Sequence, residues 1–122
     1  MTREKLAWLV LLAGLGAVPS CGLDDVRDLP IYDVELSAVP DGAHEGRFQE
    51  DGFTYVVRTT VQGGRITDVA IVENRDSKYA KMAEAVLPRV LARQTPNVDA
   101  VTGATKSSKV LLKAVENSLT VR

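Results

Sequence analysis

Two stretches of alternating residues joined by a glycine pair constrain the fold of this 122-residue chain most strongly. Between Phe53 and Val61 large apolar residues and threonine recur at every second position, which is typical of a β-strand with one buried face. Gln62-Gly63-Gly64-Arg65 supplies a turn whose glycines can adopt positive φ. Ile66–Glu73 then returns as a second strand, so the sequence predicts a β-hairpin.

The returning strand carries apolar residues on both of its faces. Val69 and Ile71 are expected on one side, with Ile66, Ala70 and Val72 on the other. Apolar residues on both faces are typical of a central strand that helices cover on at least one side. We therefore predict that Ile66–Glu73 is central in its sheet.

Helical patterns follow the hairpin. Ser77 is a candidate N-cap, and the proline at position 88 predicts either two short helices, about 77–86 and 87–93, or one kinked helix. The last helix is predicted from Ser107 to Leu119. Its apolar stripe comprises Val110, Leu111, Ala114, Val115 and Leu119. The residues expected to face water are Lys106, Lys109, Lys113 and Glu116.

The segment before the hairpin is less regular. Ile31–Val39 alternates apolar and polar residues and is predicted as a first strand, whereas the polar stretch from Pro40 to Gly52 is predicted as a loop in which Phe48 belongs to a short strand. Together these elements indicate an α+β fold, with a small antiparallel sheet built on a β-hairpin and packed with two or three helices.

The amino terminus has the pattern of an export signal. Arg3 and Lys5 precede an apolar run from Leu6 to Val18, which is too short for a comfortable membrane span. A small residue then precedes Cys21, an arrangement that resembles a bacterial lipobox. We therefore expect a lipoprotein signal peptide over residues 1–20, lipidation of Cys21, a tether over 21–30 and a domain over 31–122. The alternative is an ordinary signal peptide with an incidental cysteine.

Composition excludes several classes of function. A net charge of −1 without a basic cluster gives no electrostatic support for nucleic-acid binding. The single histidine, His44, is expected in a surface loop and makes a histidine-based metal site improbable. The mature chain shows no paired carboxylates, no Ser-His-Asp set and no dinucleotide fingerprint, so no catalytic residue is predicted.

A hydroxyl-rich turn, Asp99-Ala100-Val101-Thr102-Gly103-Ala104-Thr105, opens the last helix. The first N–H groups of a helix lack internal partners and carry the positive end of the helix dipole, which favours a phosphate group there. Gly103 gives the backbone access to conformations closed to other residues. By spacing alone, however, such a turn is more often only an N-cap.

The same string resembles the flavinylation motif of the FMN-binding domain family, which occurs in subunits of the sodium-pumping NADH:quinone reductase and related electron-transfer complexes. The resemblance implies that Thr105 carries FMN through a phosphoester bond made from FAD by a separate flavin transferase that uses a metal ion. It also implies that the recognition residues around it are Asp99, Thr102, Gly103 and Ala104.

Two further segments bear on the resemblance, which covers roughly residues 41–119. Asp41-Gly42-Ala43-His44-Glu45-Gly46 looks like the Asp-Gly-x-Tyr-x-Gly opening of the family, with His44 in place of the aromatic residue. Where the family often carries Glu-Thr-Pro-Gly, this chain has Asn74-Arg75-Asp76-Ser77-Lys78. No ring-contacting residue is carried over from that region.

Each residue expected near Thr105 has a possible structural role besides its possible role at the cofactor. Lys106 either contacts the phosphate or is solvated. Ser107 and Ser108 either donate hydrogen bonds to the phosphate or cap the helix, and capping is favoured for Ser108. Asp99 either fixes the loop by accepting backbone N–H bonds or presents the threonine to the transferase.

These features leave two main alternative functions. The first is a lipid-anchored, extracytoplasmic electron carrier of the bacterial envelope, with covalent FMN and an unspecified redox donor and acceptor. The second is a binding or assembly lipoprotein without flavin. A reductase acting on a small substrate ranks last, because so short a domain leaves little room for a substrate pocket.

Overall fold

The computed structural model describes residues 26–120 and confirms the α+β fold. Within these residues a three-stranded antiparallel sheet is covered on one face by helices. The strands are β1 (Gly42–Glu50), β2 (Phe53–Gln62) and β3 (Arg65–Glu73), and the helices are α1 (Lys78–Ala83), α2 (Val86–Arg93) and α3 (Thr105–Leu119). Short 3-10 turns form at Val26–Asp28 and Leu36–Ala38.

The predicted hairpin is confirmed as β2 and β3, but the prediction that β3 is central is wrong. The strand order is β1-β2-β3, so β2 is the middle strand and β3 is an edge. The turn between β2 and β3 is tied to the start of β1, because the Gly63 N–H donates to Asp41 Oδ1 at 2.9 Å. A central position in the sheet therefore does not explain why β3 carries apolar residues on both faces.

A β-bulge changes which side chains of β3 face the core. Val69 and Ile71 lie opposite Thr59 and Val57 and share one face, as predicted, but the register shifts before Ile66 pairs with Val61. Ile66 therefore joins the buried face instead of the outer one, where Val72 is exposed. The free edge is partly satisfied by the Gln94 side chain, which accepts from the Ile66 N–H at 2.7 Å and donates to its carbonyl at 3.0 Å.

Helix α3 packs across β1 and β2 and supplies much of the core. Its predicted apolar stripe, together with Leu112, is almost completely buried against Tyr55, Val57 and Val61 of β2. A Cβ on Gly46 of β1 would overlap the backbone of α3 at Ala114 and lie 2.6 Å from Ser118 Cα. The helix therefore approaches the strand to a distance that only glycine allows.

One buried polar pair crosses the same interface. Ser118 Oγ lies 2.8 Å from Thr59 Oγ1 and 2.6 Å from the Val115 carbonyl oxygen, and both side chains are fully buried. The two hydroxyls satisfy each other's hydrogen-bonding needs where water cannot reach. The contact fixes which residue of α3 lies over the middle strand.

The predicted strand over 31–39 is wrong. This segment crosses α3 instead of joining the sheet: the Tyr32 N–H donates to Glu116 Oε1, and Lys109 Nζ donates to the Leu29 carbonyl. Two of its alternating apolar residues, Val34 and Leu36, pack against the core without a strand partner, and Ile31 and Val39 at its ends are buried there. Glu116, predicted to face water, is correspondingly only 9% exposed.

Within the predicted loop over 40–52, the strand placed at Phe48 is confirmed, but it is much longer than expected, because residues Gly42–Glu50 form β1. β1 is an edge strand with one face in water, and its glycine at position 46 lies under α3. Such a strand carries few apolar residues, so the alternation of apolar and polar residues in its sequence is weak. His44 consequently lies in a strand, half-buried, with Nε2 2.7 Å from the Pro40 carbonyl oxygen.

The region after β3 forms two short helices, which was one of the two predicted alternatives. Ser77 caps α1 as predicted, accepting from the Ala80 N–H at 3.2 Å. The break falls at residues 84–85, and Pro88 lies in the first turn of α2, where its missing N–H removes no helical bond.

The predicted signal peptide, Cys21 and the first part of the tether lie outside the described residues. The rest of the tether lies on the domain, since Val26 packs against the core. No helix among residues 26–120 is long and apolar enough to cross a bilayer.

We predict that Gly46→Ala lowers the free energy of unfolding by about 3 kcal/mol or more, because the added methyl group meets backbone that cannot rotate away. Chemical denaturation measures this value. Ala43→Ser, at an exposed position of the same strand, is the control and should stay within about 0.5 kcal/mol of the parent. Equal stability of the two variants would contradict the close approach of α3 to β1.

Candidate functional site

The hydroxyl-rich turn predicted from the sequence lies at the amino terminus of α3. The helix begins at Thr105, two residues before the predicted start, and its N-cap residue Ala104 provides no side-chain cap. Gly103 has φ +87°, a conformation that disfavours any other residue. The first-turn amides of α3 therefore face outward without a side chain that occupies them.

Ser108, a residue of α3, stabilises the turn through two hydrogen bonds. Its hydroxyl accepts from the Val101 N–H at 3.0 Å and donates to the Ala104 carbonyl at 2.7 Å, and the residue is fully buried. Ser108 is therefore occupied by structural bonds and is not available to a phosphate, but it does not cap the helix as predicted, because its hydroxyl accepts from Val101, which precedes the helix.

Arg89, a residue of α2, stabilises the other end of the turn. Its Nη1 donates to the carbonyl oxygens of Asp99 at 2.8 Å and Ala100 at 3.2 Å. Among residues 26–120 the Asp99 carboxylate itself has no hydrogen bond or ion pair and is exposed. The loop-fixing alternative for Asp99 is therefore wrong, because its carboxylate accepts no backbone N–H among residues 26–120; Arg89 holds the loop instead, and the Asp99 side chain is accessible.

Two shallow grooves border the turn and divide the predicted site residues between them. A groove of about 420 Å³ contains Thr105, and its lining residues are Arg27, Tyr79, Gly103, Ala104, Thr105, Lys106 and Ser107. A second groove of about 510 Å³ contains the other two predicted residues, and it is lined by Arg89, Ala92, Arg93, Val98, Asp99, Ala100 and Thr102. The threonine predicted to carry the cofactor therefore faces a different groove from Asp99 and Thr102.

The charges near Thr105 favour an anion. Lys106 Nζ lies 3.6 Å from Glu50 Oε2 across the start of α3, and the lysine side chain is 54% exposed. Such a long, solvated ion pair contributes little, so the ammonium group is free to reach an anion at the helix terminus. α3 has no acidic residue in its first turn.

The described residues give Thr105 no apparent means of activating its own hydroxyl. His44, on β1, is hydrogen-bonded to the Pro40 carbonyl oxygen, and residues 26–120 contain no group of three His, Cys, Asp or Glu side chains suited to a metal ion. Nucleophilic use of a threonine hydroxyl requires a general base.

The sequence alone gives Arg89 no role in this site. It offers Tyr79 only as one of five aromatic residues that could stack on a flavin ring, with Tyr32, Phe48, Phe53 and Tyr55. Arg89 and Tyr79 lie on separate helices, ten and more positions before the motif. The structure brings both residues to the turn because α1 and α2 pack beside α3.

Comparison with known proteins finds a matching family model and two distant relatives. Residues 52–120 match the family model described as FMN-binding domain. An uncharacterized protein of Treponema pallidum (strain Nichols) is 35% identical over 81 residues, which are 65% of this chain and 22% of that protein. An NADH:fumarate oxidoreductase of Klebsiella pneumoniae (strain 342) is 25% identical over 96 residues, 77% of this chain and 10% of that enzyme. The chain thus spans less than a quarter of the length of either relative.

We predict that Arg89→Ala loosens the turn without unfolding the domain. Loss of two partly solvated bonds from a charged donor should cost about 1 kcal/mol locally, or roughly fivefold faster amide hydrogen exchange in residues 98–104. Arg93→Ala is the matched control, because Arg93 lies in the same groove and makes no hydrogen bond or ion pair with residues 26–120. Equal exchange in both variants would contradict the role of Arg89.

Proposed function

The chain belongs to the FMN-binding domain family, and we propose that it is an electron carrier whose FMN is joined by a phosphoester to the hydroxyl of Thr105. The observation that carries this proposal is the position of Thr105 as first residue of α3, in a groove beside uncapped helix amides. The family match supports FMN as the cofactor.

The helix terminus suits the charge of the ester. A phosphodiester carries about one negative charge, and at a helix N-terminus it is stabilised by roughly 0.3–1 kcal/mol when exposed and up to about 2 kcal/mol when partly buried. Thr105 is half-buried, so an ester oxygen there lies at the rim of the groove. Lys106 is placed to add a contact to the phosphate, and Ser107 a hydrogen bond.

Attachment requires a second protein. The Thr105 Oγ bonds to the phosphorus atom of the FMN half of FAD, the pyrophosphate bond breaks, and AMP leaves. The proton of the hydroxyl passes to a base that a metal-using flavin transferase supplies, since the described residues offer Thr105 none. The exposed Asp99 and Thr102 form the face that we propose the transferase recognises.

The domain's own residues then hold the cofactor in place. When bound, FMN supplies the capacity to accept and donate one or two electrons, and the protein supplies anchoring, orientation and electrostatics. Arg89 and Ser108 keep the attachment turn fixed, so the flavin ring can move only by rotation of the ribityl and phosphate bonds that link it to Thr105. The relative in Klebsiella is named an oxidoreductase, which is consistent with a flavin domain that exchanges electrons with another domain or partner.

We place the carrier outside the cytoplasm, anchored by lipid on Cys21 to the bacterial envelope. The support is the sequence pattern of residues 1–21, and the redox donor and acceptor are unspecified. Each buried methylene of an acyl chain contributes roughly 0.8 kcal/mol, so several chains give stable anchoring. Short spacing between Cys21 and Val26, the first described residue and one that packs against the core, would keep the domain close to the membrane.

We predict that Thr105→Ala abolishes covalent flavin. The chain is co-expressed with a flavin transferase, denatured and separated by gel electrophoresis, and flavin fluorescence of the band is measured. The parent band should fluoresce and the variant band should not, because the ester oxygen is gone. Ser107→Ala, which changes a hydroxyl in the same groove, is the control and should keep its fluorescence.

A parent band of unmodified mass and no fluorescence, beside a positive control substrate of the same transferase, would overturn covalent attachment. That result would favour the binding or assembly lipoprotein. Fluorescence lost in Ser107→Ala but kept in Thr105→Ala would move the ester to the serine.

We further predict that Cys21→Ser prevents lipid attachment. In bacteria fed a labelled fatty acid, the parent should incorporate label and fractionate with membranes, and the variant should do neither. Label in the variant equal to that in the parent would contradict the anchor. Covalent flavin in the secreted variant would show that the two modifications are independent.

A further inference from the structure

Helix α1 exposes two large side chains that a short packed helix would ordinarily cover. Tyr79 is 55% and Met82 37% exposed, although Ala80 and Ala83 of the same helix are buried. Tyr79 and Met82 are three residues apart and therefore lie on one face of α1.

This face borders the Thr105 groove. Tyr79 lines the groove together with Gly103 and Thr105. The position of a Cβ on Gly103 would be 3.9 Å from Met82 Cε, so the methionine methyl group lies against the turn. Methionine is flexible and polarizable and makes favourable contacts with aromatic rings.

We propose that Tyr79, backed by Met82, is the surface on which the isoalloxazine ring of the flavin rests. This inference rests on the attachment of FMN to Thr105 proposed above. The ribityl chain separates phosphate from ring, so a ring tethered at Thr105 needs a flat apolar surface beyond the helix terminus but in the same groove. Offset stacking on a tyrosine provides such a surface and contributes about 0.5–1.5 kcal/mol beyond area burial.

The other aromatic side chains of residues 26–120 are less suitable. Tyr55 is buried in the core, and Phe48 packs against it. The Arg75 guanidinium covers Phe53 at 3.9 Å from the ring centroid. Tyr32 is as exposed as Tyr79 but lies on the segment bonded to Glu116, far along α3 from its first turn.

The Tyr79 ring is open to a stacking partner. Lys78 Nζ is 6.0 Å from the ring centroid, at the outer limit of a cation–π contact, and its long side chain can move aside. A flat ring lying on Tyr79 would then have an ammonium group at its margin. Positive charge at that position favours the more negative, reduced form of a flavin.

The test compares flavin emission in two tyrosine variants. A phenol ring in contact with an excited flavin donates an electron to it and quenches its fluorescence, whereas a phenyl ring does not. The parent chain, Tyr79→Phe and Tyr32→Phe are each made with a flavin transferase, and fluorescence is measured per covalently bound flavin in the folded state. Both variants preserve side-chain shape, so both should fold and be modified.

We expect a several-fold rise in emission for Tyr79→Phe and none for Tyr32→Phe. As a second measurement, Tyr79→Ala should increase quenching by iodide, because the ring loses one covered face. Flavin present in all chains with equal emission and equal iodide quenching would overturn the ring position and leave attachment at Thr105 intact. Absence of flavin from the parent chain would overturn both proposals.

Discussion

The close approach of α3 to β1 is the contact on which the rest of the structure depends. Because Gly46 has no side chain, the helix backbone lies directly on the strand, and the paired hydroxyls of Ser118 and Thr59 fix its position along the sheet. A helix held this firmly at its carboxyl-terminal half has an amino terminus in a defined place. The site is built on that terminus.

The attachment turn combines a rigid backbone with accessible side chains. Arg89 and the buried Ser108 take up backbone groups of Val101, Ala104, Asp99 and Ala100, while the Asp99 side chain has no partner among residues 26–120. This division suits a segment that another enzyme must recognise and modify. The backbone is preorganised by the domain, and the side chains and the Thr105 hydroxyl remain for the modifying enzyme to contact.

Sequence reasoning found the elements whose pattern is local. The β2–β3 hairpin has strict alternation around a glycine turn, and α3 has a clear apolar stripe, so both were predicted. Most of β1 was missed because an edge strand pressed against a helix at Gly46 has little hydrophobic alternation of its own. The false strand over 31–39 alternates in part because Val34 and Leu36 pack against the core from outside the sheet, and a period of two does not reveal whether a buried residue has a strand partner.

The residues of the site likewise differ in whether a local sequence pattern identifies them. The turn and its helix could be located from the sequence, because hydroxyl residues, glycine and a helix start are adjacent along the chain. Arg89 and Tyr79 could not be connected to it, since their roles arise only when α1 and α2 pack beside the turn. The β-bulge that turns Ile66 inward likewise depends on pairing with β2.

Peptide mapping by tandem mass spectrometry of the protein isolated from its own membrane tests directly whether Thr105 carries FMN. We expect one FMN ester on the peptide that contains Thr105, with fragment ions assigning the added mass to that threonine. A fully recovered peptide without added mass, from cells shown to flavinylate other proteins, would exclude the ester.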